Sequence, residues 1–277
     1  MKSDIFFSIG RSIRQFWMWM WSHNRYKFYV ERKLKSIDFK TANNVLNSQI
    51  FQQITSPLQV NIPKNKRVLV MAPHPDDEIL GAAGLIIKAK NNNCHISIIF
   101  LTSGSLDESR IREEEGRLVC NKIGVDNVYF LRISDGGIAN IDVNKTNLQE
   151  LVNKSCPDII SLPFVFDGHL DHIYTNKLIS NIFIKNSKKI DFWAYQIYSS
   201  IPANVIVDIT SIVEYKFNLM SMYKSQLENF DFINWNRGLN AWNSKLLESK
   251  KSKYAECYFV VPFDRYIELC DELFNNK

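Results

Sequence analysis

The sequence predicts an α/β fold: a Rossmann-like, largely parallel sheet with helices on both faces, extended by a C-terminal α/β portion and preceded by an N-terminal aromatic-basic helical segment. Three observations predict it. From Pro57 onward, short apolar runs alternate with amphipathic stretches, the pattern of strand–helix–strand units with right-handed crossovers. Polar, chemistry-bearing clusters follow successive apolar runs, and a parallel sheet sends all those carboxyl ends to one edge. The composition supports a sizeable core, with 45% of the 277 residues hydrophobic and 23% charged.

Taken in order, Arg67–Ala72 reads as a buried strand, because Val68 to Ala72 are all apolar and Pro73 ends the run. Ile79–Lys90 reads as a helix whose Gly and Ala residues allow close packing on the sheet. His95–Leu101 is a strand, with Ile96, Ile98, Ile99 and Phe100. Glu108–Ile123 is a charged amphipathic helix stopped by Gly124. Asn127–Leu131 is a strand and Thr146–Lys154 a short helix. Asp158–Leu162 is a strand, Asp171–Lys185 a helix, and Phe192–Tyr198 and Val205–Asp208 are strands. Beyond Thr210 the pattern is mostly helical, over Ile212–Leu227 and around Leu239–Ser249. Tyr258–Val261 is β-like and stops at Pro262, and Asp264–Phe274 is a final helix. Residues 56–277 are read as one domain and 1–55 as an added segment.

The most informative stretch is His74-Pro75-Asp76-Asp77-Glu78, where a strand stops and a helix starts. One imidazole and two carboxylates within four positions suit a borderline metal such as zinc, or an acid–base pair. The structural alternative is a helix cap, with Asp76 or Asp77 on the first N–H groups. A second cluster, Asp167-Gly168-His169-Leu170-Asp171-His172, follows the apolar run Ile159–Pro163. Thr102-Ser103-Gly104 and Ser134-Asp135-Gly136-Gly137 occupy matching positions after two further strands, so four loops are expected to meet in one cleft.

A formal net charge of +5 permits attraction to phosphorylated substrates or anionic surfaces. It is too small to argue for nucleic acid, and no signature for binding it occurs. Five widely spaced cysteines form neither a disulfide framework nor a C-x-x-C site, and read as buried thiols of a reducing compartment. His95, which begins a strand and has no acidic company, reads as structural, and so does His23. Residues 11–35 interleave Trp17, Trp19 and Trp21 with arginines and lysines. The apolar run Phe16–Trp21 is too short to span a bilayer, and no secretory cleavage site follows. Tryptophans amid basic residues suit a membrane interface. An extra helix docked on the core is the alternative.

Together, the Ala-Pro-His-Pro-Asp-Asp-Glu stretch ending at Glu78 and the later His169-Leu170-Asp171-His172 resemble the PIG-L/LmbE family of metal-dependent sugar N-deacetylases. The likeness extends over roughly Val68 to Val261. It takes in the Arg112 helix ending at Gly124-Val125, Lys216 with Tyr223-Lys224-Ser225-Gln226, and the Tyr254-Ala255-Glu256-Cys257-Tyr258 segment. The resemblance implies zinc, or another divalent metal, held by His74, Asp77 and His172. It implies Asp76 as the base that takes a proton from water. His169 is implied as a transition-state donor or acid to the leaving amine, and Asp171 as the group fixing one imidazole's tautomer. It further implies that Arg112, Asp135, Ser103 and Asp167 contact substrate. Arg112 has a helix-surface ion pair as its alternative, and Asp135 a turn with Gly136. Some relatives carry Tyr where Asp167 stands, which leaves the oxyanion donor open. The expected activity is removal of an acetyl group from an N-acetylated amino sugar, in the cytoplasm or at the inner face of the membrane. Hydrolysis of another amide and sugar binding without catalysis are the rivals.

Overall fold

The computed structural model describes residues 57–104, 108–142, 146–182, 184, 187–228 and 230–274. The 1–55 segment lies outside the described residues, and with it the expectations for residues 11–35 and His23. Among the described residues, no helix is long and apolar enough to cross a membrane.

One sheet organises these residues. Its strands are β1 (Leu58–Gln59), β2 (Arg67–Ala72), β3 (His95–Thr102), β4 (Asn127–Ile133), β5 (Ile159–Pro163), β6 (Asp191–Tyr195), β7 (Val205–Asp208) and β8 (Ala255–Pro262). The spatial order is β1-β7-β8-β6-β5-β2-β3-β4. Every ladder is parallel except the two that β8 makes with β6 and β7. The C-terminal portion is therefore no separate layer; its last strand fills the gap between β6 and β7. Among the described residues, the helices are α1 (Asp77–Asn91), α2 (Ser109–Ile123), α3 (Leu148–Ser155), α4 (Leu170–Ser180), α5 (Val213–Met220), α6 (Lys224–Leu227), α7 (Phe232–Asn243) and α8 (Phe263–Phe274).

The central strands read as continuous apolar runs because both faces are covered. Leu69, Val70, Met71 and Ala72 have no exposed surface, and neither do Ile98, Ile99 and Phe100 opposite them. The register sets Val70 against Ile98 on one side and Ser161 on the other, and Ala72 against Phe100. Parallel register carries the ends of β2, β3, β4 and β5 to one edge, so the loops that follow them are neighbours. Gly124 ends α2 in the left-handed conformation (φ 83°), its N–H on the carbonyls of Cys120 and Asn121, as its position predicts. Cys94, Cys120, Cys257 and Cys270 are buried free thiols; Cys156 is exposed.

Three expectations need correction. The helix expected over Asp171–Lys185 stops at Ser180, and Ile182 and Ile184 follow with both side chains buried. The helix expected over Ile212–Leu227 breaks at Ser221–Tyr223, because Tyr223 and Ser225 are drawn into long-range bonds. The Tyr223 hydroxyl donates to Glu78, and Ser225 donates from its N–H and Oγ to Glu115 at 2.9 and 2.6 Å. His95 does have acidic company, for its Nδ1 lies 3.7 Å from Asp126 Oδ2.

Candidate metal centre

The loop after β2 is pinned before its side chains do anything. The N–H and Oγ1 of Thr102, at the end of β3, both donate to the Pro73 carbonyl at 2.9 Å. The Glu78 carboxylate turns back to accept from the Asp76 N–H at 3.0 Å. Asp76 itself sits at φ 125°, ψ −30°, a region that favours glycine. Its carboxylate makes no capping bond to α1. Asp77 Oδ2 accepts from the His74 N–H at 2.9 Å and not from the helix. The helix-cap alternative therefore fails for both aspartates.

Asp77 Oδ2 is the hub of the site. His74 Nδ1 lies 3.0 Å from it and His172 Nε2 3.1 Å, all three residues being buried. His74 and His172 arrive from loops 98 residues apart, and their ring centroids are 5.6 Å apart. Further carboxylates stand behind the two rings. His74 Nε2 lies 3.2 Å from Asp171 Oδ2, which also accepts from the Gly136 N–H at 2.9 Å. Asp135 Oδ1 stands at the same 3.2 Å from His74 Nε2, on a half-exposed side chain. His172 Nδ1 lies 2.9 Å from Asp167 Oδ1. Although these carboxylates are close, neither nitrogen of the fully buried His172 ring makes a hydrogen bond. A buried imidazole left so is costly unless something else uses its lone pair.

That orphaned ring tests the fit of a metal, and the residues fit. A carboxylate oxygen with an imidazole nitrogen on either side is a catalytic zinc donor set in kind. The electrostatics agree. Burial works against charge on His74, yet Asp135, Asp171 and Asp77 together raise its pKa well above the ordinary value. Burial likewise opposes charge on His172, but Asp77 and Asp167 lift its pKa to about 9. Burial would raise Asp77, but the nearby His172 and His74 rings pull it well below the usual range. The cluster favours positive charge, and a divalent ion would compete with protons for it. Two other groupings, neither of which includes Asp77, bring ligand atoms within 4.8 Å of one another: His74, His169 and His172, and His74, Asp135 and Asp171.

His169 is better suited to donate than to ligate. It caps α4, its Nδ1 accepting the Asp171 N–H at 3.2 Å. The ring proton must then sit on Nε2. Burial and the neighbouring histidines lower its pKa, so the ring is neutral near pH 7. Asp76 is buried beside this cluster. Desolvation and the Asp77 charge raise its pKa to about 7, with Arg112 opposing. A carboxyl poised there can exchange protons at neutral pH.

The expected substrate contacts fare unevenly. Arg112 is not a surface ion pair. It is buried, its Nη2 donates to the Pro75 carbonyl at 3.1 Å, and the same nitrogen lies 3.7 Å from Asp76 Oδ1. Gly104 (φ 81°) gives it passage, since a Cβ there would lie 2.6 Å from Arg112 Cδ. Asp135 stands half-exposed at the cleft, next to the turn at Gly136 (φ 70°). Ser103 donates to Glu113 at 2.8 Å, so its hydroxyl proton is engaged. Asp167 departs from expectation. Its side chain is fully buried, and it accepts from the N–H groups of His169 (3.2 Å) and Tyr198 (3.0 Å) while facing His172. Nothing of it is left for a substrate.

The motifs do not reveal the walls of the site. Tyr198 stacks on His172 (5.5 Å, 22°), and Trp235 stacks on Tyr198 (5.4 Å, 29°). Phe232 meets Trp235 edge-on. The aromatic density of Phe230-Asp231-Phe232-Ile233-Asn234-Trp235 was the available signal. Asp171→Asn, which keeps an acceptor for Gly136, is expected to weaken metal binding by about 10–100-fold, as loss of a carboxylate that orients a ligand imidazole does. Competition against a chelating dye measures it.

Comparison with known proteins agrees with this geometry. Residues 69–183 match the family model described as PIG-L, GlcNAc-PI de-N-acetylase. Residues 69–183 thus resemble a PIG-L family domain, and relatives of this chain include deacetylases of the PIG-L/LmbE type. Diacetylchitobiose deacetylase of Thermococcus kodakarensis is 25% identical over 254 residues, covering 81% of this chain and 94% of that protein. Among solved structures, the conserved protein TT1542 from Thermus thermophilus superposes with a TM-score of 0.61 at 22% identity, over 71% of this chain and 95% of its own. N,N'-diacetylchitobiose deacetylase from Pyrococcus horikoshii, in complex with an inhibitor, gives 0.59 at 22% identity, over 83% and 95%. These likenesses bear out the mixed α/β architecture expected above.

Proposed function

We propose that this chain is a metal-dependent hydrolase, of the zinc type, that removes the acetyl group from an N-acetylated amino sugar. The observation that carries the reading is the buried Asp77 carboxylate within 3.1 Å of both His74 and His172, with Asp76 beside it and outside the donor set. His74, Asp77 and His172 would hold the metal. When bound, it supplies a Lewis acid and lowers the pKa of water.

The chain's own groups do the rest. Asp76 accepts a proton from the attacking water as its oxygen adds to the acetamide carbon. Arg112, 3.7 Å away, keeps Asp76 from drifting toward a permanently protonated state. His169 offers its Nε2 proton to the oxyanion or to the leaving nitrogen, and its Nδ1 bond to the Asp171 N–H holds that tautomer. Asp171 and Asp167 orient the two ligand imidazoles.

The acyl group is read from a cavity. Asp76 opens onto a mostly apolar recess lined by Leu80, Met220, Tyr223, Gln226, Leu227 and Phe232. The recess is small, about the room of one water molecule, which suits a short acyl chain. This favours acetamide over longer amides. The sugar is read from the Tyr198–Trp235 stack, whose faces suit the apolar C–H face of a pyranose. It is also read from a polar groove of about 620 Å³ that Ser103, Glu113, Arg132 and Asp135 line.

The test is acetate release from a panel of N-acetylhexosamine conjugates, with and without chelator. Release that chelator abolishes and zinc restores is expected; release of nothing from any member would favour a sugar-binding protein. Propionyl analogues should react about 10–200-fold more slowly, the usual weight of one methylene in a fitted pocket. Met220→Ala should narrow that gap. A wild type that prefers a longer acyl group would overturn the acetyl assignment.

A further inference from the structure

Helix α1 is not continuous. Ala82 leaves helical dihedrals (φ −127°, ψ 16°), five residues after Asp77. In an unbroken helix the Leu80 carbonyl would accept from the Gly84 N–H. Here both groups are served from elsewhere. The Leu80 carbonyl accepts from Lys216 Nζ at 3.1 Å and from Asn236 Nδ2 at 3.0 Å. The Gly84 N–H donates to Glu256 Oε2 at 2.8 Å. The next amide, Leu85 N–H, donates to the Tyr258 hydroxyl at 3.3 Å, and that hydroxyl donates to Glu256 Oε2 at 2.5 Å.

Lys216 and Glu256 close the circuit. Lys216 Nζ donates to Glu256 Oε1 and to Asn240 Oδ1, each at 2.9 Å. Its three ammonium protons are thus all used. Lys216 is fully buried and Glu256 nearly so. Burial depresses the Lys216 pKa, with Glu256 opposing. Gly84 makes the arrangement possible, because a Cβ there would lie 2.7 Å from Glu256 Oε2. A buried ion pair that only filled space would be no better than apolar residues of the same size. This one stands in for main-chain hydrogen bonds at the break in the helix that begins with Asp77.

We propose that Lys216 and Glu256 are positioning residues of the metal centre: an ion pair spliced into the backbone of α1 that sets the direction in which its first turn presents Asp77. The proposal rests on the metal-centre reading above. Neither residue touches the site. They act through the angle between the first turn, Asp77 to Gly81, and the remainder of the helix.

The experiment compares metal binding, not turnover alone. The double variant Lys216→Met/Glu256→Gln leaves no buried charge unpaired and keeps an acceptor for the Gly84 N–H. Zn2+ affinity is read by competition with a chelating dye, and coordination by the visible spectrum of bound Co2+. Phe259→Leu, in the same strand but on neither Leu80 nor Gly84, serves as the control for general loss of stability. The double variant should bind Zn2+ about tenfold or more weakly, on the scale of losing a group that orients a metal ligand, and shift the Co2+ spectrum. The control should bind like wild type whatever its Tm. Asn236→Ala carries the test if the double variant does not fold. It removes one bond to Leu80 and a carbonyl oxygen that has no partner, and should weaken binding several-fold. Folded variants with wild-type affinity and spectrum would overturn the proposal, and so would a control that loses metal equally. A wild type that binds no divalent ion would instead bring down the metal-centre reading beneath it.

Discussion

Asp76→Asn is expected to lose about 10²–10⁴-fold in turnover while keeping its metal, the range for removal of a positioned acid–base group. The substitution is nearly isosteric, and Asp76 is not among the groups gathered on Asp77 Oδ2. Its pKa, raised to about 7 by burial and the Asp77 charge, suits proton exchange near neutral pH. Asp76→Gly should abolish turnover as thoroughly but unfold at a higher temperature than Asp76→Asn. Residue 76 sits at φ 125°, and glycine alone adopts that without strain. A difference of about 1–3 kcal/mol between the two variants is the usual weight of such a conformation. Metal analysis, steady-state rates and thermal melts of the pair check all three statements. A near-normal rate in Asp76→Asn would move the base elsewhere, with the half-exposed Asp135 the next carboxylate to try.

His172→Ala is expected to lose metal and activity together. The ring is fully buried, its nitrogens have no hydrogen bonds, and Asp77 and Asp167 crowd both of them. Deleting it removes a ligand and leaves two buried carboxylates facing a void, so stability should fall as well. Elemental analysis after dialysis against zinc-containing buffer decides. One equivalent of metal retained in folded His172→Ala would assign the ion to the second grouping, His74 with Asp135 and Asp171.

Much of this was legible in the sequence, for identifiable reasons. Strands such as Arg67–Ala72 are buried on both faces, so their apolar runs are unbroken and bounded by proline or charge. Convergence of the four loops follows from parallel register, and Thr102 bonded to Pro73 is its local expression. What could not be read depends on contacts distant in sequence. Tyr223 leaves its helix for Glu78, 145 residues away. Arg112 shares the buried helix face of Gly116, Val119 and Cys120, yet its charge made it read as a surface residue; Gly104 leaves the space it occupies. Asp167 resembles a site residue in every local respect, and only its backbone partners at His169 and Tyr198 reveal that it is buried. Glu256 interrupts an apolar run and so hid the true start of β8 at Ala255.

The position of β8 bears on how the molecule comes into being. It follows β6 and β7 in the chain by some fifty residues or more, yet it lies between them. A nascent chain that has emerged as far as Asp208 holds two halves of a sheet with an open seam and unpaired edges, the kind of surface that invites association. Glu256, whose carboxylate receives the Gly84 N–H of α1, arrives on the same strand. Closing of the sheet and the brace proposed for α1 thus depend on one segment of chain.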